Sequence, residues 1–111
     1  MAYSEALAER IRDVLGPRED LREQKMFGGL AFMVGGHMAV GIVGDELMLR
    51  LGEEGAEALL GDEHVRPMDF TGRPMKGFVF VAPAGIGSEA ALERYVGRAL
   101  AFNATLPPKG R

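Results

Sequence analysis

From Lys25 to Leu51 the chain reads KMFGGLAFMVGGHMAVGIVGDELMLRL, three apolar runs of β-compatible residues broken by Gly35-Gly36 and Gly44-Asp45. Two-residue Gly-Gly and Gly-Asp connections are strong hairpin signals, because the tightest hairpin turns need positive φ at their central positions. The spacing predicts strands near 29–34, 37–43 and 46–51, joined as a meander. A two-residue turn also sets a register. Val34 then falls opposite His37, Phe32 opposite Ala39, Ile42 opposite Leu47 and Val40 opposite Leu49. Period-two alternation sorts these side chains into two faces. One face carries Ala31, Met33, Met38, Val40, Ile42, Leu47, Leu49 and Leu51, and is the expected core. The other carries Leu30, Phe32, Val34, His37, Ala39, Gly41, Val43, Glu46, Met48 and Arg50. It is mixed, yet too apolar for a surface that simply meets water.

The flanking segments complete the pattern. Ser4 is placed to cap a helix in which Leu7, Ile11, Val14 and Leu15 recur at helical spacing, and Gly16-Pro17 ends it. Arg18–Gln24 is almost wholly charged or polar and reads as a solvated connection. Gly52-Glu53-Glu54 opens a short helix with carboxylates in its first turn, where the helix dipole favours them; Gly61 ends it. A second hairpin follows, with strands over Val65–Phe70 and Gly77–Ala82 and a loop over Thr71–Lys76. Pro67 places the first of these strands at an edge. Phe78 and Phe80 alternate with Val79 and Val81, so the second strand is covered on both sides. Ser88 caps a last helix with the stripe Leu92, Tyr95, Val96, Ala99, Leu100 and Asn103. The order is α-β(3)-α-β(2)-α. It predicts an α+β, two-layer fold, a five-stranded and mainly antiparallel sheet with helices chiefly on one side. Residues 1–106 are expected to form one domain, with 107–111 a tail.

Composition narrows the function. There is no cysteine among the 111 residues, which excludes disulfides, thiolate catalysis and cysteine-ligated zinc. No secretory leader and no membrane-length apolar run is present, so a cytoplasmic protein is expected. Residues 1–63 sum to −7 and residues 64–111 to +4. The basic half could face an anionic partner, although two halves of one domain neutralising each other is the simpler reading. His37 and His64 are the sole histidines and no ligand spacing joins them, so no metal is expected. Ser4 and Ser88 are already used as caps and neither sits in a nucleophile elbow, so no catalytic residue is assigned. The glycine pairs do not form a phosphate-cradling loop, which would follow a strand and open a helix.

Two surface features remain. In the loop Arg66–Gly77, Arg73 and Lys76 project from a turn stiffened by Gly72 and Pro74, with Arg66 at its base. Arg50 projects from the mixed sheet face, where an arginine amid small and aromatic residues can stack on a ring or anchor an anion. Arg50, Arg66, Arg73 and Lys76 are therefore the candidate contacts for an anion or an acidic partner. The apolar remainder of that face, Leu30, Phe32, Val34 and Met48, is the candidate interface patch, used for self-association as a homodimer. A helix folded over it is the competing arrangement.

The strings KMFGGLAFMVGGHMAVGIVGDELMLRLG and RPMDFTGRPMKGFVFV, with the terminal ALAFNATLPPK, resemble the TfoX/Sxy N-terminal domain family over essentially the whole chain. The resemblance implies an architecture like that of type III secretion chaperones. Its best-known members act as transcriptional coactivators in natural competence and carry a second, helical domain beyond the stretch matched here. MFGG at 26–29 and RPMDFTGRPMKG at 66–77 mark family positions and bring no catalytic or ligand-binding role with them. The expected function is a non-catalytic regulatory or protein-interaction domain without cofactor, its protein partner unspecified. The alternatives are a nucleic-acid-binding regulator, against which stands a pI of 5.4, and a small-anion site built by Arg50, Arg73 and Lys76.

Overall fold

A computed structural model describes residues 3–26, 28–70 and 73–107, leaving aside the side chains of 69, 70 and 73–75. Ser4 accepts the Leu7 amide at 3.1 Å and starts α1 (Glu5–Leu15), which Gly16 closes at φ +69°. Ser88 accepts the Ala91 amide in the same way and starts α3 (Glu89–Asn103). Between them lie β1 (Leu21–Met26), β2 (Gly29–Val34), β3 (His37–Val43), β4 (Glu46–Arg50), α2 (Gly52–Leu59), β5 (Val65–Phe70) and β6 (Arg73–Val81). A 3₁₀ turn over Pro83–Ile86 leads into α3. The strands form one open antiparallel sheet in the order β1-β2-β3-β4-β6-β5. The α+β class is as expected, but among the described residues there are six strands where the sequence predicts five.

The extra strand is β1. Its sequence, LREQKM, is charged and shows no strand alternation, so local propensity gave no sign of it. Backbone pairing with β2 along the whole length, Leu21 opposite Val34 through Met26 opposite Gly29, makes it a strand. Its side chains from Arg22 to Lys25 stay exposed, which suits an edge. At the opposite edge stands β5, with Pro67 in it as anticipated. The loop expected over Thr71–Lys76 is shorter: β6 already runs from Arg73, while 71 and 72 lie outside the described residues.

The register of the first hairpin departs from expectation. Gly35 and Gly36 do turn at positive φ, and Val34 faces His37. One residue later the ladder shifts: Met33 pairs with Met38, but Phe32 pairs with Val40 and Leu30 with Ile42. Ala39 is the additional residue of a β-bulge, and Ala39 and Val40 both join the core beneath the helices. Because side chains alternate, this one-residue shift exchanges the faces of β2. Leu30, Phe32 and Val34 lie inside with Val40, Ile42, Leu47, Leu49 and Leu51, whereas Ala31, Met33 and Met38 turn to the far side. Phe32, expected to point away from the core, is wholly buried.

All three helices occupy one side of the sheet. α3 lies across β3 and β4, α2 packs on β6, and α1 packs on α3. Their residues Leu7, Ile11, Leu59, Leu92, Tyr95 and Val96 close one core with the inward strand residues. The buried cluster on the other side, Met48, Met68 and Phe80, contains strand residues alone.

Candidate functional site

The side of the sheet without helices is built around β6. Alternation sends Val79 and Val81 to the helical core and Phe78 and Phe80 to the far side. Each ring receives an arginine from the strand beside it. β4 places the Arg50 guanidinium 5.9 Å from the centroid of Phe78, and β5 places that of Arg66 4.6 Å from Phe80. Arg50 is also 5.8 Å from the ring of Phe102, near the end of α3, so at the end of β4 its guanidinium stands at the rim of the sheet, in reach of one ring of the far face and one of the helical layer. Arg66 donates through Nε and Nη2 to the two carboxylate oxygens of Glu46, at 3.3 and 2.5 Å. That ion pair lies over Phe80. It is solvent-exposed, Arg66 by about half, so its net contribution is at most about 1 kcal/mol.

Around this pair of cation–ring stacks the face is rich in methionine. Met48 and Met68 pack with Phe80, and Met38, Val43 and Phe78 pack against them half-buried. Cross-strand pairing adds Met33 opposite Met38 and Ala31 opposite Gly41. β1 contributes Arg22, Gln24 and Met26 to the same side. Ala31, Gly41, Met48 and Met68 are buried, and the half-buried Met26, Met33, Met38, Val43 and Phe78 are the apolar side chains of this face that reach solvent, three of them long and flexible.

A groove of about 230 Å³ runs from this face along α2. Met68 and Phe78 line it together with Leu60, Pro67 and Gly77; Glu53 and Glu57 stand on the α2 wall and Lys76 on the β6 wall. Leu60 is the large apolar side chain left most open, at 40% exposure among the described residues. The backbone permits this approach because Gly77 sits at φ +86° with the Gly52 backbone 3.2 Å from where a Cβ would stand. A second cleft, about 540 Å³, opens between the first turn of α2 and Arg98, Ala101 and Phe102 of α3.

The expected site residues are thus only partly brought together. Arg50 and Arg66 share the far face on adjacent rings, and Lys76 lies further along β6 toward the acidic wall of α2. The side chain of Arg73 lies outside the described residues. The interface patch is corrected. Leu30, Phe32 and Val34 are covered by the helical layer, the arrangement weighed as its competitor, and Met48 alone of the four lies on the far face. The residues missed were Met33, Met38, Phe78 and Phe80. The strand alternation of Phe78 and Phe80 was legible; which face of β2 carries Met33 was hidden by the bulge.

Elsewhere the polar side chains serve structure. Arg12 donates to both oxygens of Glu23 at 2.7 Å, which raises the guanidinium pKa and lowers that of the carboxyl. Tyr95 donates to Asp62 at 2.9 Å; burial, then the carboxylate, push the phenol pKa up. Nε2 of His37 is 2.7 Å from the Pro107 carbonyl, and Asn103 donates to that of Val34, which ties the end of α3 to the first hairpin. Residues 108–111 of the expected tail lie outside the described residues. Among the described residues no group of three or more potential metal ligands occurs, and no helix is long and apolar enough to cross a membrane.

The model of the TfoX N-terminal domain matches residues 13–103, from within α1 to the last residue of α3. The chain belongs to the TfoX N-terminal domain family. In this TfoX N-terminal domain the matched stretch contains all six strands, the methionine face and the groove beside α2. No curated protein and no solved structure matched the chain.

Proposed function

We propose that this TfoX N-terminal domain is a non-catalytic regulatory module that docks a protein partner on the helix-free face of its sheet. The observation that carries the reading is the placement of the half-buried Met26, Met33, Met38 and Phe78 on one side of one sheet, over the buried Met48, Met68 and Phe80. Unbranched thioether side chains repack around different shapes, and surfaces rich in them recur where one protein must accommodate another. The family relation supports a regulatory setting, and a coactivator-like module of transcription is its natural form. Direct binding of nucleic acid is the weaker reading, because the helices carry an excess of carboxylates and the net charge is −3. The single anion site of Arg50, Arg73 and Lys76 is weaker too, since Glu53 and Glu57 share the groove with Lys76. A photo-crosslinking amino acid at Met33 or Met38, expressed in the native host, is expected to form discrete protein adducts. The same group at Glu93, exposed on α3, is expected to form none. Adducts from Glu93 alone would remove the face from consideration.

A further inference from the structure

We infer that the partner presents an acidic amphipathic segment, its apolar side chains on the methionines and its carboxylates on the arginines that border them. The inference rests on the docking face proposed above and adds the chemistry of what docks there. Among the described side chains, the far face carries Arg22 from β1, Arg50 from β4 and Arg66 from β5 against the carboxylate of Glu46, and where it meets the groove Lys76 stands opposite Glu53 and Glu57. The three helices have the opposite bias, with eight carboxylates against four arginines over α1, α2 and α3. Two copies meeting face to face would bring like charges together, which disfavours a second copy and favours an anionic partner.

Arg50 is the pre-set reader. The residue is half-buried with its guanidinium in reach of Phe78 and Phe102, and among the described residues it makes no ion pair. A planar fork flanked by two rings has fewer positions to lose when it takes a carboxylate in two parallel hydrogen bonds. Arg66 is engaged by Glu46, but through an exposed pair that exchanges readily for a carboxylate from outside. From β1 to β5 the face spans five inter-strand steps, about 24 Å. A helix of about 16 residues covers that distance. The partner segment therefore has an apolar middle and glutamates or aspartates at both ends.

The test uses the full chain and three synthetic 16-residue helical peptides. One has an apolar stripe with glutamate at both ends, one has lysine in place of glutamate, and one has alanine in place of the stripe. Fluorescence anisotropy reads affinity, and methyl resonances of ¹³C-labelled methionine read location. The acidic peptide is expected to bind and to shift the half-buried Met26, Met33 and Met38, with the other two failing. Arg50→Gln is expected to weaken binding about 10- to 100-fold, the size of a charged hydrogen bond. Arg50→Lys should recover part of it, and Arg98→Gln, a change on α3, should bind with the affinity of the parent. Circular dichroism of each variant separates lost binding from lost folding, and Met38→Gln repeats the test where Arg50 variants do not fold. Equal binding of the lysine peptide, or acidic-peptide binding that Arg50→Gln leaves unchanged, would overturn the inference. So would displacement of the acidic peptide by an oligonucleotide or by anionic phospholipid vesicles, or a dimer in sedimentation that hides the methionine methyls. Crosslinks from Met33 without any peptide binding would leave the docking face standing and remove the acidic partner alone.

Discussion

Tyr95 shows how one buried polar group is made tolerable. Its ring completes the helical core while its hydroxyl reaches the half-buried Asp62 carboxylate at 2.9 Å, so no donor is stranded. Burial and the neighbouring negative charge both oppose the phenolate, and the folded pKa is raised above the unfolded value of about 10. A raised pKa means that the stabilisation is fully present below pH ~10 and is lost as pH rises through the folded value. Tyr95→Phe is expected to lower stability by about 0.5–1.5 kcal/mol at pH 7, the net contribution of an ordinary hydrogen bond. It should also flatten the alkaline decline. Urea unfolding at pH 7 and pH 11 checks both; an unchanged alkaline slope would show that another group causes it.

At the scale of elements the decisive object is the bulge at Ala39. It lets a two-residue Gly-Gly turn coexist with a β2 whose large residues, Leu30, Phe32 and Val34, meet Val40 and Ile42 under the helices. The two possible registers make opposite predictions for neighbouring residues. In the observed one, Phe32→Ala opens a cavity in the main core and is expected to destabilise by about 3–5 kcal/mol. Met33→Ala removes a half-buried side chain from the far face and should stay under about 1 kcal/mol. Equilibrium denaturation of the two variants distinguishes them, and a reversed order would mean the unbulged hairpin. The edges are guarded by different means: β1 by charge, β5 by Pro67.

For the whole molecule, the sheet carries a buried cluster on each side, and the two share strands. Leu47 and Leu49 face the helices from the same strand whose Met48 faces away, and Val79 and Val81 do so beside Phe80. Neither cluster can dissolve without releasing the backbone that holds the other. Unfolding is therefore expected to be one cooperative transition. Far-ultraviolet circular dichroism, the fluorescence of Tyr3 and Tyr95 in and against the helical core, and methionine methyl shifts on the far face should give coincident midpoints. Earlier loss of the methionine signals would show that the far face opens by itself.

The caps at Ser4 and Ser88, the glycine turns and the alternation of Phe78 and Phe80 were legible along the chain, because each depends on residues a few positions apart. So were Arg50 as an occupant of the far face and Pro67 as the mark of an edge. β1 was not legible: LREQKM has no strand pattern of its own, and its conformation comes from hydrogen bonds lent by β2. Nor was the side on which Phe32 and Met33 lie, since one extra residue in the partner strand reverses it. Local sterics and short-range hydrogen bonds are written in neighbouring residues. Which apolar surface the helices cover, and which is left with its methionines and arginines, is settled where distant segments compete for the same water-excluding contact.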